Sequence, residues 1–205
     1  MNFRQYNYYM SIKKITNLFT ESEISYLKKE IKKIQQLSIF KTYSDISGDL
    51  GRMNTFIPIA NISGPISDKV LEVANSINDK SYKLTNVLYV DYSNKYGEPN
   101  LPPHFDADSC DLIVNFQLSS NTSWDLGLEM QTYEIEDNSA LIFNANHYIH
   151  WRPHKIFNDQ EYIRMIFFRF KDVNYQEDYS HLEKTQEDNV FKKISDFRDS
   201  LTNNK

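Results

Sequence analysis

From about Ser81 to Phe170 the chain is written in short runs of β-branched and aromatic residues: "YKLTNVLYVDY", "DLIVNFQL", "LGLEMQTYEI", "SALIF", "HYIHWRPHKIF" and "YIRMIFFRF". Val, Ile, Tyr and Phe suit a pleated surface, and the Asn, Asp, Gly and Pro between the runs suit tight turns, so the segment predicts strands joined by short connections. Strands at this density must bury sheet against sheet, which limits the chain to a sandwich or barrel. The expectation is a mainly β fold with flanking helices, a jelly-roll core with helices over one outer face.

Two helices precede the strands. "TESEISYLKKEIKKIQQL" opens with Thr20 and, three residues on, Glu23, a capping box; Ile24, Leu27, Ile31 and Ile34 then recur at helical spacing. A second helix is expected over Ile66–Ile77, after the Gly64–Pro65 break, and a third over about 185–201 with Val190, Phe191, Ile194, Phe197 and Leu201 on its buried side. The 205 residues thus divide into a helical support over about 16–80, a β core over about 81–172 and a C-terminal helix, all in one domain.

Composition leaves several classes without support. A net charge of −5 with scattered lysines and arginines gives no footprint for nucleic acid. One cysteine, Cys110, permits no internal disulfide, the start lacks an apolar signal core, and no apolar run approaches membrane-spanning length. The expected setting is soluble and cytoplasmic, with no membrane partner and no indication of oligomeric state.

The stretch "LPPHFDADSC" brings chemistry. His104 and Asp106 are two residues apart, so an extended backbone sends both to one side. Further on, if Tyr148–Ile156 is a strand and "FNDQE" a turn, Tyr148, His150, Arg152 and His154 share one face. In the following strand Tyr162, Arg164, Ile166, Phe168 and Phe170 share another, expected to point into the core. A guanidinium on such a face calls for an anion, from a ligand or from an Asp or Glu of the protein. His-x-Asp with a distant histidine makes the two-histidine, one-carboxylate set that suits non-haem Fe(II), whereas a structural zinc site would more often recruit cysteines.

The order "VLYVDYSNKYGEPNLPPHFD", "SALIFNANHYIHWRPH", "YIRMIFFRF" resembles the Fe(II)- and 2-oxoglutarate-dependent oxygenases, nearest to their prolyl-hydroxylase-like branch, over about Val87–Phe170. The resemblance implies a double-stranded β-helix. It makes His104 and Asp106 the first two iron ligands and His150 the third, with His154 and His147 as the other candidates. It implies that Arg164 holds the distal carboxylate of 2-oxoglutarate, with Arg152 in competition, and that the Tyr92 hydroxyl, or else Tyr89, also meets that carboxylate. Fe(II) is then the cofactor, with 2-oxoglutarate and O2 as cosubstrates and succinate and CO2 as co-products.

By the same resemblance, a carboxylate at Asp106 favours hydroxylation, or a related oxidation such as desaturation, over halogenation. The expected substrate is an amino acid, a peptide or a protein side chain. Two rivals use the same fold: a cupin-like metal-dependent isomerase or hydrolase without 2-oxoglutarate, and a non-catalytic binding protein. Trp124 and Trp151 are read as core, rim or cleft, the Tyr92–Pro103 segment as a plain connection or a lid or substrate-contacting edge, and Cys110 as a small apolar filler.

Overall fold

The computed structural model describes residues 12–37, 51–106, 110–174 and 184–203, and the side chains of the last helix from 192 to 201. Helix α1, Glu21–Gln36, starts at Thr20, whose hydroxyl accepts from the Glu23 N–H while the Glu23 carboxylate accepts from the Thr20 N–H at 2.7 Å. This is the expected capping box, and Ile24, Leu27, Ile31 and Ile34 form its buried stripe. Helix α2 runs Gly64–Asn75, two residues earlier at each end than expected. Pro65 lies inside its first turn rather than before it, because a first-turn residue needs no N–H partner.

The described residues form nine strands, in chain order β1 Lys13–Ile15, β2 Arg52–Ile57, β3 Tyr82–Ser93, β4 Leu112–Ser120, β5 Leu126–Leu128, β6 Gln131–Tyr133, β7 Ser139–Phe143, β8 His150–Trp151 and β9 Tyr162–Asp172. They form a six-stranded sheet in the order β1-β7-β4-β9-β3-β2 and a three-stranded sheet β6-β5-β8, with every named pair antiparallel. This is the expected double-stranded β-helix. The strands β1 and β2 were not expected and extend the larger sheet at its two edges. Helix α3, Lys184–Asn203, holds the expected C-terminal position, with Phe197 buried; Val190 and Phe191 lie outside the described side chains.

The larger sheet is buried on both faces. Toward the helices it presents Val87, Tyr89, Val114, Phe116, Ile142, Ile166, Phe168 and Phe170 to the stripes of α1 and α2. Toward the smaller sheet it presents Leu88, Val90, Tyr92, Ile113, Leu141, Phe143, Ile163, Met165 and Phe167. A bulge between Leu84 and Asn86 reverses the alternation of β3, so that Tyr82 and Leu84 share the helix face with Val87 and Tyr89. Gly51 sits at φ +54° before β2, where a Cβ would meet the backbone of Glu98 at 2.1 Å. Only glycine allows that approach, which brings the loop leading to His104 against the start of β2.

Candidate metal centre

Between the two sheets, His104 and His150 form an isolated antiparallel bridge. The His104 N–H donates to the His150 carbonyl at 3.1 Å and the His150 N–H returns a bond to the His104 carbonyl at 2.9 Å. Directly opposed residues project to the same side, so the bridge sets the two imidazoles together, ring centroids 4.1 Å apart. Asp106 follows two residues on, its N–H bonded to the Ala145 carbonyl at 3.0 Å. The turn carrying Ala145 is itself tied down: Asp111 accepts from Asn146 Nδ2 at 3.0 Å, from Lys171 Nζ at 3.0 Å and from the Asp172 N–H at 2.9 Å.

The rings are oriented by their far nitrogens. His104 Nδ1 lies 2.8 Å from the Pro102 carbonyl and His150 Nδ1 3.2 Å from that of Tyr148. A carbonyl only accepts, so each ring carries its proton on Nδ1 and turns a bare Nε2 toward Asp106. Those Nε2 atoms lie 3.9 and 3.6 Å from Asp106 Oδ1, and one ligand atom from each residue falls within 4.8 Å of the others. Two donors of one ion at ~2.1 Å lie at most ~4.2 Å apart, so both nitrogens stand within bridging range of that oxygen. The other oxygen, Oδ2, is buried without a hydrogen bond. Burial, then the neighbouring His150, pushes His104 down to about 4, which keeps it neutral and able to ligate near pH 7. Burial works against the Asp106 carboxylate, but the His150 imidazole and the Arg169 guanidinium outweigh it and hold the group well below the usual range. Three donors on one side of a cavity can hold a divalent ion and leave its remaining positions to other ligands.

The other candidate histidines are elsewhere. His154, 71% exposed, faces Glu98 at 3.6 Å, and His147 lies in the turn before β8, its N–H bonded to the Asn144 carbonyl. The face expected for Tyr148–Ile156 does not form: only His150 and Trp151 are strand, because the chain pairs with β5 at Gly127 and Leu128 alone before Pro153.

Arg164 requires a correction. It shares the face of Ile166, Phe168 and Phe170, as expected, but that face looks at the helices and not at the metal-side cavity. Its cross-strand partner is Asp91, with Nε 3.5 Å from Oδ2, and its guanidinium stacks 4.2 Å from the Tyr162 ring. The protein itself supplies the anion. Tyr89 sits on the same face, away from the cavity.

Arg152 lies on the metal side of the larger sheet, beside Met165 and Tyr92. It is 4% exposed, donates from Nη1 to the Trp124 carbonyl, and lies 4.9 Å from the Trp124 ring and 5.9 Å from the Tyr92 ring. Burial lowers its pKa, opposed by Tyr92 and Asp125, and no carboxylate reaches ion-pair distance of it among the described residues. Tyr92 lies on the cavity face of β3, its hydroxyl accepting from Arg52 Nη1 at 3.3 Å. Two arginines of this cavity were not expected from the sequence. Arg52 comes from the edge strand β2, and Arg169 approaches Asp106 Oδ2 with Nη2 at 3.6 Å. The alternation of "RMNTFI", Met53, Thr55 and Ile57 one way and Arg52, Asn54 and Phe56 the other, was the available signal for the first.

No family model and no curated protein sequence matches the chain. Solved structures do. The non-heme α-ketoglutarate-dependent epimerase SnoN from nogalamycin biosynthesis superposes with a TM-score of 0.62 over 80% of this chain and 79% of its own, at 8% identity. The fold is the double-stranded β-helix of 2-oxoglutarate-dependent enzymes. HygX from Streptomyces hygroscopicus, solved with nickel and 2-oxoglutarate bound, shares it at TM-score 0.60, 10% identity and coverage of 82% and 85%. A prolyl hydroxylase from Trichoplax adhaerens, in complex with a hypoxia inducible factor peptide fragment, shares it at 0.56, 13% identity and coverage of 77% and 83%. Identities this low carry the β-helix itself, and the chemistry has to be argued from the residues of this chain.

Proposed function

We propose that the chain is an Fe(II)- and 2-oxoglutarate-dependent dioxygenase that hydroxylates a C–H bond of an amino acid, peptide or protein side chain, releasing succinate and CO2. The observation that carries this reading is the pairing of two features on the same side of the larger sheet. One is a His104–Asp106–His150 set with both Nε2 atoms bare; the other is a buried guanidinium, Arg152, with no carboxylate at ion-pair distance among the described residues. A cupin-like hydrolase or isomerase has use for the first but gives the second no anion.

His104, Asp106 and His150 would hold the iron, which when bound supplies the oxidising chemistry with 2-oxoglutarate and O2. Arg152 would take the distal carboxylate of 2-oxoglutarate, and its planar fork suits two parallel bonds to that group. Tyr92 packs its ring beside that guanidinium, and its hydroxyl joins Arg52 to the same end of the cavity. Phe143, edge-on to the His150 ring with centroids 5.4 Å apart, and Met165 exclude water from the inner wall. The likeness to a prolyl hydroxylase crystallised with a peptide supports an amino-acyl substrate.

The test is an anaerobic titration of the metal-free protein with Fe(II) and 2-oxoglutarate. A visible metal-to-ligand charge-transfer band is expected, and His104→Ala should abolish it. Folded, iron-loaded protein that gives no band on adding 2-oxoglutarate would sink the proposal.

A further inference from the structure

At the other end of β3 from Tyr92 the cavity carries polar groups that neither the metal set nor the Arg152 end uses. Arg169 stands on the cavity face of β9, directly across from Asn86 of β3. Its contact with Asp106 Oδ2, at 3.6 Å, is longer than a hydrogen bond, and its Nε is buried with no partner at all. Asn86 Oδ1 is likewise buried without a donor, as is Oδ1 of Asn115, which lies one step along the same face opposite Phe167. Buried polar groups are nearly always satisfied, so a donor and two acceptors left open on one face of two adjacent strand pairs describe a missing ligand. The three atoms themselves are buried, while the Arg169 side chain as a whole is 30% exposed and so extends from them to solvent.

We infer that the substrate presents a carboxylate flanked by an N–H donor, the head of a free amino acid or the C-terminal residue of a peptide. The carboxylate docks on Arg169 and the N–H on the Asn86 and Asn115 amide oxygens. This deepens the proposed function by naming the substrate class and rests on it for the chemistry, though not for the binding. Arg169 is here a specificity residue that touches substrate, while its longer contact to Asp106 is a lesser role.

The experiment compares free-acid and carboxamide forms of the twenty common amino acids, and of short peptides with free or amidated C-termini, as ligands of the Ni(II)-loaded protein. Calorimetry is run with and without 2-oxoglutarate. At least one free acid should bind ~10- to 100-fold more tightly than its amide, the range of one charge-assisted hydrogen bond. Arg169→Gln should erase that ratio, compared on protein whose Ni(II) content is matched to wild type. Asn86→Leu, which removes no charge from beside Asp106, should weaken the same free acid severalfold and serves if the arginine variant fails to fold. A panel with no preference for any acid over its amide overturns the inference, as does a preference that survives in both variants. Absence of the charge-transfer band in wild type would instead strike the cosubstrate reading, and the Ni(II) comparison would still decide this one.

Discussion

Arg152→Met separates a residue that holds the protein together from one that waits for a ligand. Methionine matches much of the volume of the arginine stem and removes the buried charge. Replacing buried charge with a well-packed apolar side chain is neutral or stabilising by ~1–4 kcal/mol, because desolvation of the charge is no longer required. Against that, the Trp124 carbonyl loses its donor, at ~1–3 kcal/mol. The two nearly offset, so the ligand-free variant should unfold within ~1–2 kcal/mol of wild type, or within roughly 8 °C by the usual conversion for a domain of this size.

Ligand binding should respond in the opposite manner. A carboxylate brought into this pocket without its guanidinium is an uncompensated buried charge, a loss of ~3–5 kcal/mol or two to three and a half orders of magnitude in Kd. At 2-oxoglutarate one hundred times the wild-type Kd, wild type gains ~2.7 kcal/mol, worth roughly 5–10 °C, while the variant gains no more than ~0.4 kcal/mol. Thermal melts with and without cosubstrate, on Ni(II)-loaded protein, read both numbers. Loss of 3 kcal/mol or more from the ligand-free variant would mean that Arg152 is structurally paired after all. An undiminished cosubstrate shift would remove it as the anchor and put Arg52 forward.

Three shorter predictions follow from the geometry. His150→Ala should abolish metal binding measured by calorimetry while His154→Ala, at an exposed site facing Glu98, leaves the Kd within about twofold; the reverse pattern would reassign the third ligand. Gly127→Ala would place a Cβ 2.4 Å from Trp151 Cε2, and the overpacking should destabilise by ~1–3 kcal/mol and shift the tryptophan emission as the indole leaves its bond to the Glu129 carbonyl. Unchanged melting and emission would contradict the close approach of β5 and β8. For the metal-free protein, His104 is held at about 4 against ~6.5 unfolded, so the unfolded chain takes up a proton that the folded one refuses, and stability should fall as pH drops through that window. The slope is at most ~1.4 kcal/mol per pH unit, lessened because 34% of the side chain is open to solvent. His104→Gln should flatten the pH dependence, and an unaltered profile would show that the proton uptake belongs to another group.

The sequence made the architecture legible where periodicity meets one buried face. The capping box and the Ile24, Leu27, Ile31 and Ile34 stripe led directly to α1, and the strand runs led to the β-helix. The grouping of His104 with Asp106 was legible because His-x-Asp is local, whereas His150 was singled out from His147 and His154 only by the family resemblance; the structure brings His104, Asp106 and His150 together. What pairs His104 with His150 was not legible, since a two-residue bridge between segments far apart in sequence leaves no periodic trace. The edge strand β2 was missed because six residues with Arg, Asn and Thr read as a connection until β3 supplies their partners.

Arg164 shows the deeper limit. In "YIRMIFFRF" both faces of the strand are apolar, because the central strands of the larger sheet are covered by helices on one side and by the smaller sheet on the other. Alternation then says that Arg164 and Arg169, five residues apart, point opposite ways, but not which one meets the metal. That choice is made by long-range register: Arg164 lies against Asp91 and Arg169 against Asn86, in one unbroken run of pairs that ends at the β3 bulge. A one-residue slip of β3 against β9 would place a different residue opposite Arg169 without altering the hydrophobic pattern of β9 at all. The side to which each arginine is assigned is therefore a property of the sheet and not of the strand. Asp91 matters to the site for that reason. By giving Arg164 an anion on the helix face, it fixes Arg169 on the cavity face, beside the carboxylate of Asp106.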